Sequence, residues 1–263
     1  MTLGIRDILW LGFFVAILAA WYWLYGMATG MGLDLIGRPG PMAERMRMMD
    51  PRMDMYMPMA RFWPLFLMWA VMMAAMMLPT MVPTLRAYED LMVSANGTRG
   101  GWLGILAGYF AVWVGFAALI TGVQLALLFG GVVDMLGIPL SRAFQGGLLI
   151  VVGAFQFTRM KEVCHGVCHA PMHYFLGHWK PGTIGGLRMG LALGAYCVGC
   201  CWGFMALGFV GGVMSLLWMG LATLFMVLEK LPQIGHRIMR PAGILLIAAG
   251  LVVLAWPLIS DLF

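Results

Sequence analysis

The sequence predicts an all-α fold, a polytopic membrane bundle of about seven transmembrane helices, and three observations carry that expectation. Charged residues make up 10% of the chain and hydrophobic ones 62%, with a mean hydropathy of +0.91, whereas a soluble domain carries about 25% charged residues. The apolar runs are long enough for spanning helices of about 20 residues. They lack the alternation of barrel strands, so a backbone without water partners must satisfy itself in helices. The 36 Gly suit close helix packing in lipid. In such a chain a net charge of +5 is a topological signal, and no nucleic-acid partner is read from it.

Taken in order, span one runs from about Ile8 to Ala28. The WYWLYG stretch offers no small-residue cleavage site, so it reads as an anchor and not a signal peptide. Span two covers Phe62 to Val82, span three Trp102 to Phe129 and span four Ser141 to Thr158. From Leu187 to Leu228 the chain is apolar for two spans, and Gly211-Gly212 is the natural turn between spans five and six. Span seven runs from Ala242 to Ile259, and no internal repeat is evident. The bundle counts six to seven helices. It divides into residues 1–61, an anchor with a Met-rich extracytoplasmic loop, and 62–263, a six-helix metal-binding core.

Orientation follows the positive charges. Seven spans put ten of the 16 Lys and Arg on the side of the N-terminus and six on the other. The N-terminus is therefore expected in the cytoplasm. The loop before span two then faces the oxidising exterior, and the Cys-bearing fourth loop faces the reducing side, where thiols persist.

Sulfur is the unusual component, with 27 Met and five Cys. The segment MAERMRMMDPRMDMYMPM holds Met42, Met46, Met48, Met49, Met53, Met55, Met57 and Met59 among charges and two prolines. It reads as an exposed loop, where gap-filling in a core does not account for Met. Soft thioethers select Cu(I), so a metal-capture loop stands against a sticky lipid- or partner-contacting surface. Span two carries Met72, Met73, Met76, Met77 and Met81; Met72/Met76, Met73/Met77 and Met77/Met81 are each four apart and stack on a helical face. Leu packs as well as Met in lipid, so a ladder of soft ligands is favoured over packing. Pro79 and Pro83 free backbone carbonyls at its inner end, which is tolerated where a binding site is lined.

The fourth loop reads FTRMKEVCHGVCHAPMHYFLGHWK. If it is helical up to Pro171, Cys164 and Cys168 share one face and His165 and His169 the next. Thiolate and imidazole together suit copper or zinc. Four of the five His lie between His165 and His178, which weighs against an incidental interfacial role. Span five carries Cys197, Cys200 and Cys201, with Cys197 ten residues in, about 15 Å. That depth matches Met72 to Met77 and permits a shared site. Glu229 and Lys230 read as a snorkelling pair at the end of span six, and His236 as interfacial. No nucleotide-binding motif, nucleophile elbow or intramembrane carboxylate pair occurs, so an enzyme is the less favoured reading and no nucleotide cofactor is expected.

MMAAMMLPT on span two, the loop Cys pair followed by His178-Trp179, LRMGLALGAYCVGCCWGFM and GVMSLLWMGLATLFMVLEKLP occur in this order. Together they resemble a bacterial family of predicted metal-binding integral membrane proteins of unknown function. The resemblance covers Phe62 to Leu231. It implies functional roles for Met72, Met73, Met76, Met77, Cys164, Cys168, Cys197, Cys200 and Cys201, and a place in the bacterial inner membrane. It does not extend to the Met-rich loop. The expected function is Cu(I) binding for uptake, relay or delivery to a metallochaperone or metalloenzyme client. The rivals are an assembly subunit of a larger membrane complex and an intramembrane thiol redox protein, the latter disfavoured because burial slows thiolate chemistry.

Overall fold

The computed structural model describes residues 4–40, 60–231 and 234–260, and among them the chain is helical without a β-strand. The methionines from Met42 to Met59 lie outside the described residues. Helix α1 is Ile5–Gly30 and α2 is Phe62–Met77; a 3-10 turn, Pro79–Met81, leads to α3, Val82–Met92. Helix α4 is Arg99–Phe129 and α5 Arg142–Phe155. The fourth loop is itself two helices, α6 (Arg159–His169) and α7 (Pro171–His178), split where Pro171 cannot continue the first. Then come α8 (Gly182–Ala206), α9 (Gly208–Gly211), α10 (Leu216–Glu229) and α11 (Gly235–Ser260).

Five stretches among the described residues are long and apolar enough to cross a membrane: Ile5–Gly30, Phe62–Met92, Arg99–Phe129, Gly182–Gly211 and Arg237–Trp256. The expected fourth and sixth spans are helices too, but of 14 residues each. At 1.5 Å per residue they reach about 21 Å, short of a hydrocarbon core of about 30 Å. Local geometry shortens both. Thr158 caps α6 through Lys161 N (3.3 Å) directly after α5, and Gly212, at φ +92°, makes the turn expected there while Ser215 caps α10.

The centre of the bundle is α4 packed along α8. Glycines make this close approach possible. A Cβ at Gly104 would strike the Thr183 carbonyl, and one at Gly190 the Ile105 carbonyl. Helix α5 lies on α11 by the same device, Gly146 opposite Gly250 and Gly153 opposite Gly243. Helix α1 runs antiparallel to α2 and α3: Trp21 Nε1 donates to the Ala75 carbonyl (3.0 Å), and Trp10 Nε1 to Glu89 (3.1 Å). Of the five long stretches, α1 and α11 are the least buried, as helices facing lipid would be.

A structural repeat emerges that the sequence hides. After α1, Asp34 Oδ1 accepts from Ile36 N and Arg38 N, Gly37 has φ +79°, and Leu33 bridges Pro39. After α4, Asp134 Oδ1 accepts from Leu136 N and Ile138 N, Gly137 has φ +75°, and Val133 bridges Pro139. The two loops share only Asp, Gly and Pro at matching places, too little to stand out among apolar residues. Both dock on the turn before α10: Gly37 meets Met214 and Ser215, Gly137 meets Val213. One end of the molecule is thus closed by three turns packed together.

Candidate metal centre

Helix α6 packs along α8, which carries the Cys of the fourth loop to those of span five. On α6, Cys164 and Cys168 share the face turned to α8, as the spacing of four requires. The Sγ atoms of Cys168, Cys197 and Cys200 lie within 4.8 Å of one another, all three buried. Cys200 Sγ is 3.9 Å from Cys168 Sγ and 3.2 Å from Cys201 Sγ; Cys197 Sγ is 4.0 Å from Cys201 Sγ. All five cysteines are free thiols. Cys164 sits at the rim, half-buried, with its sulfur against Gly199, where a larger residue would displace it. The sequence treats the loop cysteines and the span cysteines as two clusters; in the folded chain they are one.

The surroundings of the sulfurs are polar. Lys230 Nζ donates to Cys197 Sγ (3.2 Å) and to Thr80 Oγ1 (3.0 Å). Tyr109 Oη lies 3.0 Å from Cys197 Sγ and 3.1 Å from Thr80 Oγ1, and Thr80 donates to the Met77 carbonyl (2.7 Å). Lys161 Nζ donates to Glu229 Oε2 (3.0 Å) and to the Cys200 carbonyl (2.9 Å). Glu229 and Lys230 are 1% and 4% exposed, so they are not the snorkelling boundary pair that the sequence leads one to expect. Lys230 turns inward to the thiols, and Glu229 pairs with Lys161 because α6 covers the end of α10. A cation is thereby set against the sulfur that would carry negative charge as a metal ligand.

Three groups on α6 have displaced proton affinities, and burial raises that of the Cys164 thiol. The hydrogen bond with Cys197, reinforced by burial, holds the Cys168 thiol well above the usual thiol range. For Lys161, burial works against the charge, but Glu229 beside it prevails and raises its affinity for the proton. His165 and His169 stack at 5.2 Å on the neighbouring face of α6. His165 Nε2 is 2.8 Å from the Glu229 carbonyl, so its ring ties α6 to the end of α10 outside the trio of sulfurs.

Met72, Met73, Met76, Met77 and Met81 are all buried. They do not lie along the cysteine helix over its length, since α4 packs between α2 and α8. The contact is at the C-terminal end of α2, where the Pro79–Met81 turn brings Thr80 to Lys230 and Tyr109. The interrupted helix expected from Pro79 and Pro83 therefore does border the cysteine centre. Sequence reasoning missed Tyr109, Thr80 and Lys161, which carry no motif. The cue for Glu229 and Lys230 was present, because ionisable residues closing an apolar helix warrant a functional reading.

The sequence model of the PpoB2 family, described as copper chaperone, matches residues 66–253. No curated protein and no solved structure matches the chain.

Proposed function

This chain belongs to the PpoB2 copper-chaperone family, and from that premise we propose that it captures Cu(I) and holds it in the buried thiol centre for delivery to a client. The matched region contains the cysteines, Lys230 and the span-two methionines, and leaves out the Met-rich loop. In this reading Cys168, Cys197 and Cys200 are the ligands, with Cys201 as an alternate and Cys164 at the exit. The charge of Lys230 offsets that of the thiolates. Met72, Met73, Met76, Met77 and Met81 pass the ion inward from the capture loop of Met46, Met48, Met49, Met53, Met55, Met57 and Met59. His165 and His169 fix the covering helix. The topology that goes with it has seven spans in a bacterial inner membrane, the short α5 and α10 being accommodated by local thinning of the bilayer, with the cytoplasmic N-terminus and periplasmic Met loop of the charge count. The domain division at residue 62 is part of the same proposal.

The observation that carries this reading is the convergence of three sulfurs from two distant segments within 4.8 Å. Soft thiolates in a buried, water-poor setting prefer Cu(I) to harder ions, and zinc is the competing occupant. Anaerobic titration of the purified protein against a Cu(I) chelator tests it. One tightly held Cu(I) per chain is expected, and Cys197→Ser or Cys200→Ser should weaken it on the order of 100-fold, about 2.8 kcal/mol. Equal affinity in wild type and both variants would overturn the assignment.

A further inference from the structure

The methionines of α10 are absorbed by no part of the site above. Met219 is 3% exposed and Met226 0%. They lie eleven and four residues before Lys230, with Thr223 between them at seven. At 100° per residue these three positions and Lys230 fall on one stripe of the helix. The direction of that stripe is known, because Lys230 Nζ reaches Thr80 at the end of α2. Met219, Thr223 and Met226 therefore face α2, against which α10 packs.

The two helices also run in parallel. Helix α1 is antiparallel to α2, so α2 begins at the end where α1 finishes. Helix α10 begins at that same end, where Leu217 N donates to the Leu35 carbonyl (3.0 Å). Counting outward from the shared level of Thr80 and Lys230, Met76 and Met77 are four and three residues up α2, and Met226 is four up α10. Met76 and Met226 then lie about 6 Å, and Met77 about 4.5 Å, outward of the Thr80–Lys230 contact along their helices. The hydroxyl of Thr223 turns back to the Met219 carbonyl (2.7 Å), which leaves thioethers as the donors on this wall.

We propose that Met76, Met77 and Met226 form a second, thioether-only site for a soft monovalent cation, one helical turn outward of the cysteine centre. Met219 marks the next step up the same wall. Three neutral thioethers hold Cu(I) or Ag(I) without proton release and more weakly than thiolates do. That is the property of a waystation that must give up its ion. The ion leaves it past Lys230 toward Cys197 Sγ. The proposal extends the chaperone reading but does not need the cysteines to bind.

The test is a titration with Ag(I), which is redox-inert, in the full chain with the eight methionines from Met42 to Met59 changed to Leu. Two equivalents are expected, a tight one and a weaker one. Met226→Leu, a volume-conserving change, should weaken the second about tenfold and leave the first unchanged. Met189→Leu, at a buried position on α8, should alter neither. A single equivalent, or a weak equivalent indifferent to Met226→Leu, overturns the proposal. A weak equivalent lost in Met226→Leu without any tight one would uphold it while refuting the cysteine centre.

Discussion

At the scale of single residues, the chain spends stability to place charge beside sulfur. The Lys161–Glu229 pair is 3.0 Å apart with side chains 0% and 2% exposed, so its desolvation is nearly complete. Breaking such a pair by removing one partner costs more than the pair itself contributes, because the survivor stays buried and uncompensated. Glu229→Gln should destabilise the protein by about 3 kcal/mol in denaturant unfolding. Combining it with Lys161→Met should restore part of the loss. A double variant less stable than Glu229→Gln would show that the pair contributes in a different way. Lys161→Met alone should also shift the Cys200 carbonyl, which accepts from Lys161, and so loosen metal binding. The cap at Asp134 offers a cleaner measurement, since its carboxylate holds two backbone N–H groups. Asp134→Ala should cost about 1–3 kcal/mol in the same assay, and Asp34→Ala less, because water reaches the N–H groups that its exposed carboxylate holds.

At the scale of elements, helix positions are set by absent side chains. Helices α4 and α8 approach until backbone meets backbone at Gly104 and Gly190. Tyr109 reaches Cys197 only at that separation. Gly104→Leu should therefore push α8 away and weaken Cu(I) binding along with stability, overpacking alone costing about 1–3 kcal/mol. Gly12→Leu, on α1 with open space around its Cβ position, should leave both unchanged. Measuring Cu(I) affinity and melting temperature for the two variants checks this, and equal effects would contradict it. The sequence was legible at this scale where signals are local. The break at Pro79, the turn at Gly212 and the split at Pro171 all fall where proline and glycine put them. The repeat was not legible, because two loops with three matching residues have the same hydrogen bonds but little shared composition.

At the scale of the molecule, metal occupancy should couple to stability. The trio of sulfurs joins α6 to α8, and Lys230 joins α10 to both α8 and the Pro79–Met81 turn. An ion held there binds the folded form more tightly than the unfolded chain, whose Cys197, Cys200 and Cys201 are still neighbours in sequence. At a concentration 100 times its Kd it adds at most about 2.7 kcal/mol. Melting temperature should rise with Cu(I) and fall back on chelation, and Cys197→Ser with Cys200→Ser should abolish the rise. A copper-induced rise that survives in that variant would place the stabilising ion elsewhere.

The sequence by itself determined the helical, lipid-compatible character of the chain, the breaks in its helices and the sulfur-rich chemistry. These depend on composition and on spacings within one helix, which a linear pattern records. Only the tertiary structure decided that Cys168 joins Cys197 and Cys200, that Lys230 faces the thiols, and that α2 meets the centre through the Pro79–Met81 turn at its C-terminal end. Those facts depend on where helices far apart in sequence cross. The crossings are set by glycine contacts such as Gly104 on Thr183 and by the coverage of α10 by α6. No periodicity within one helix encodes the angle at which another helix lies on it.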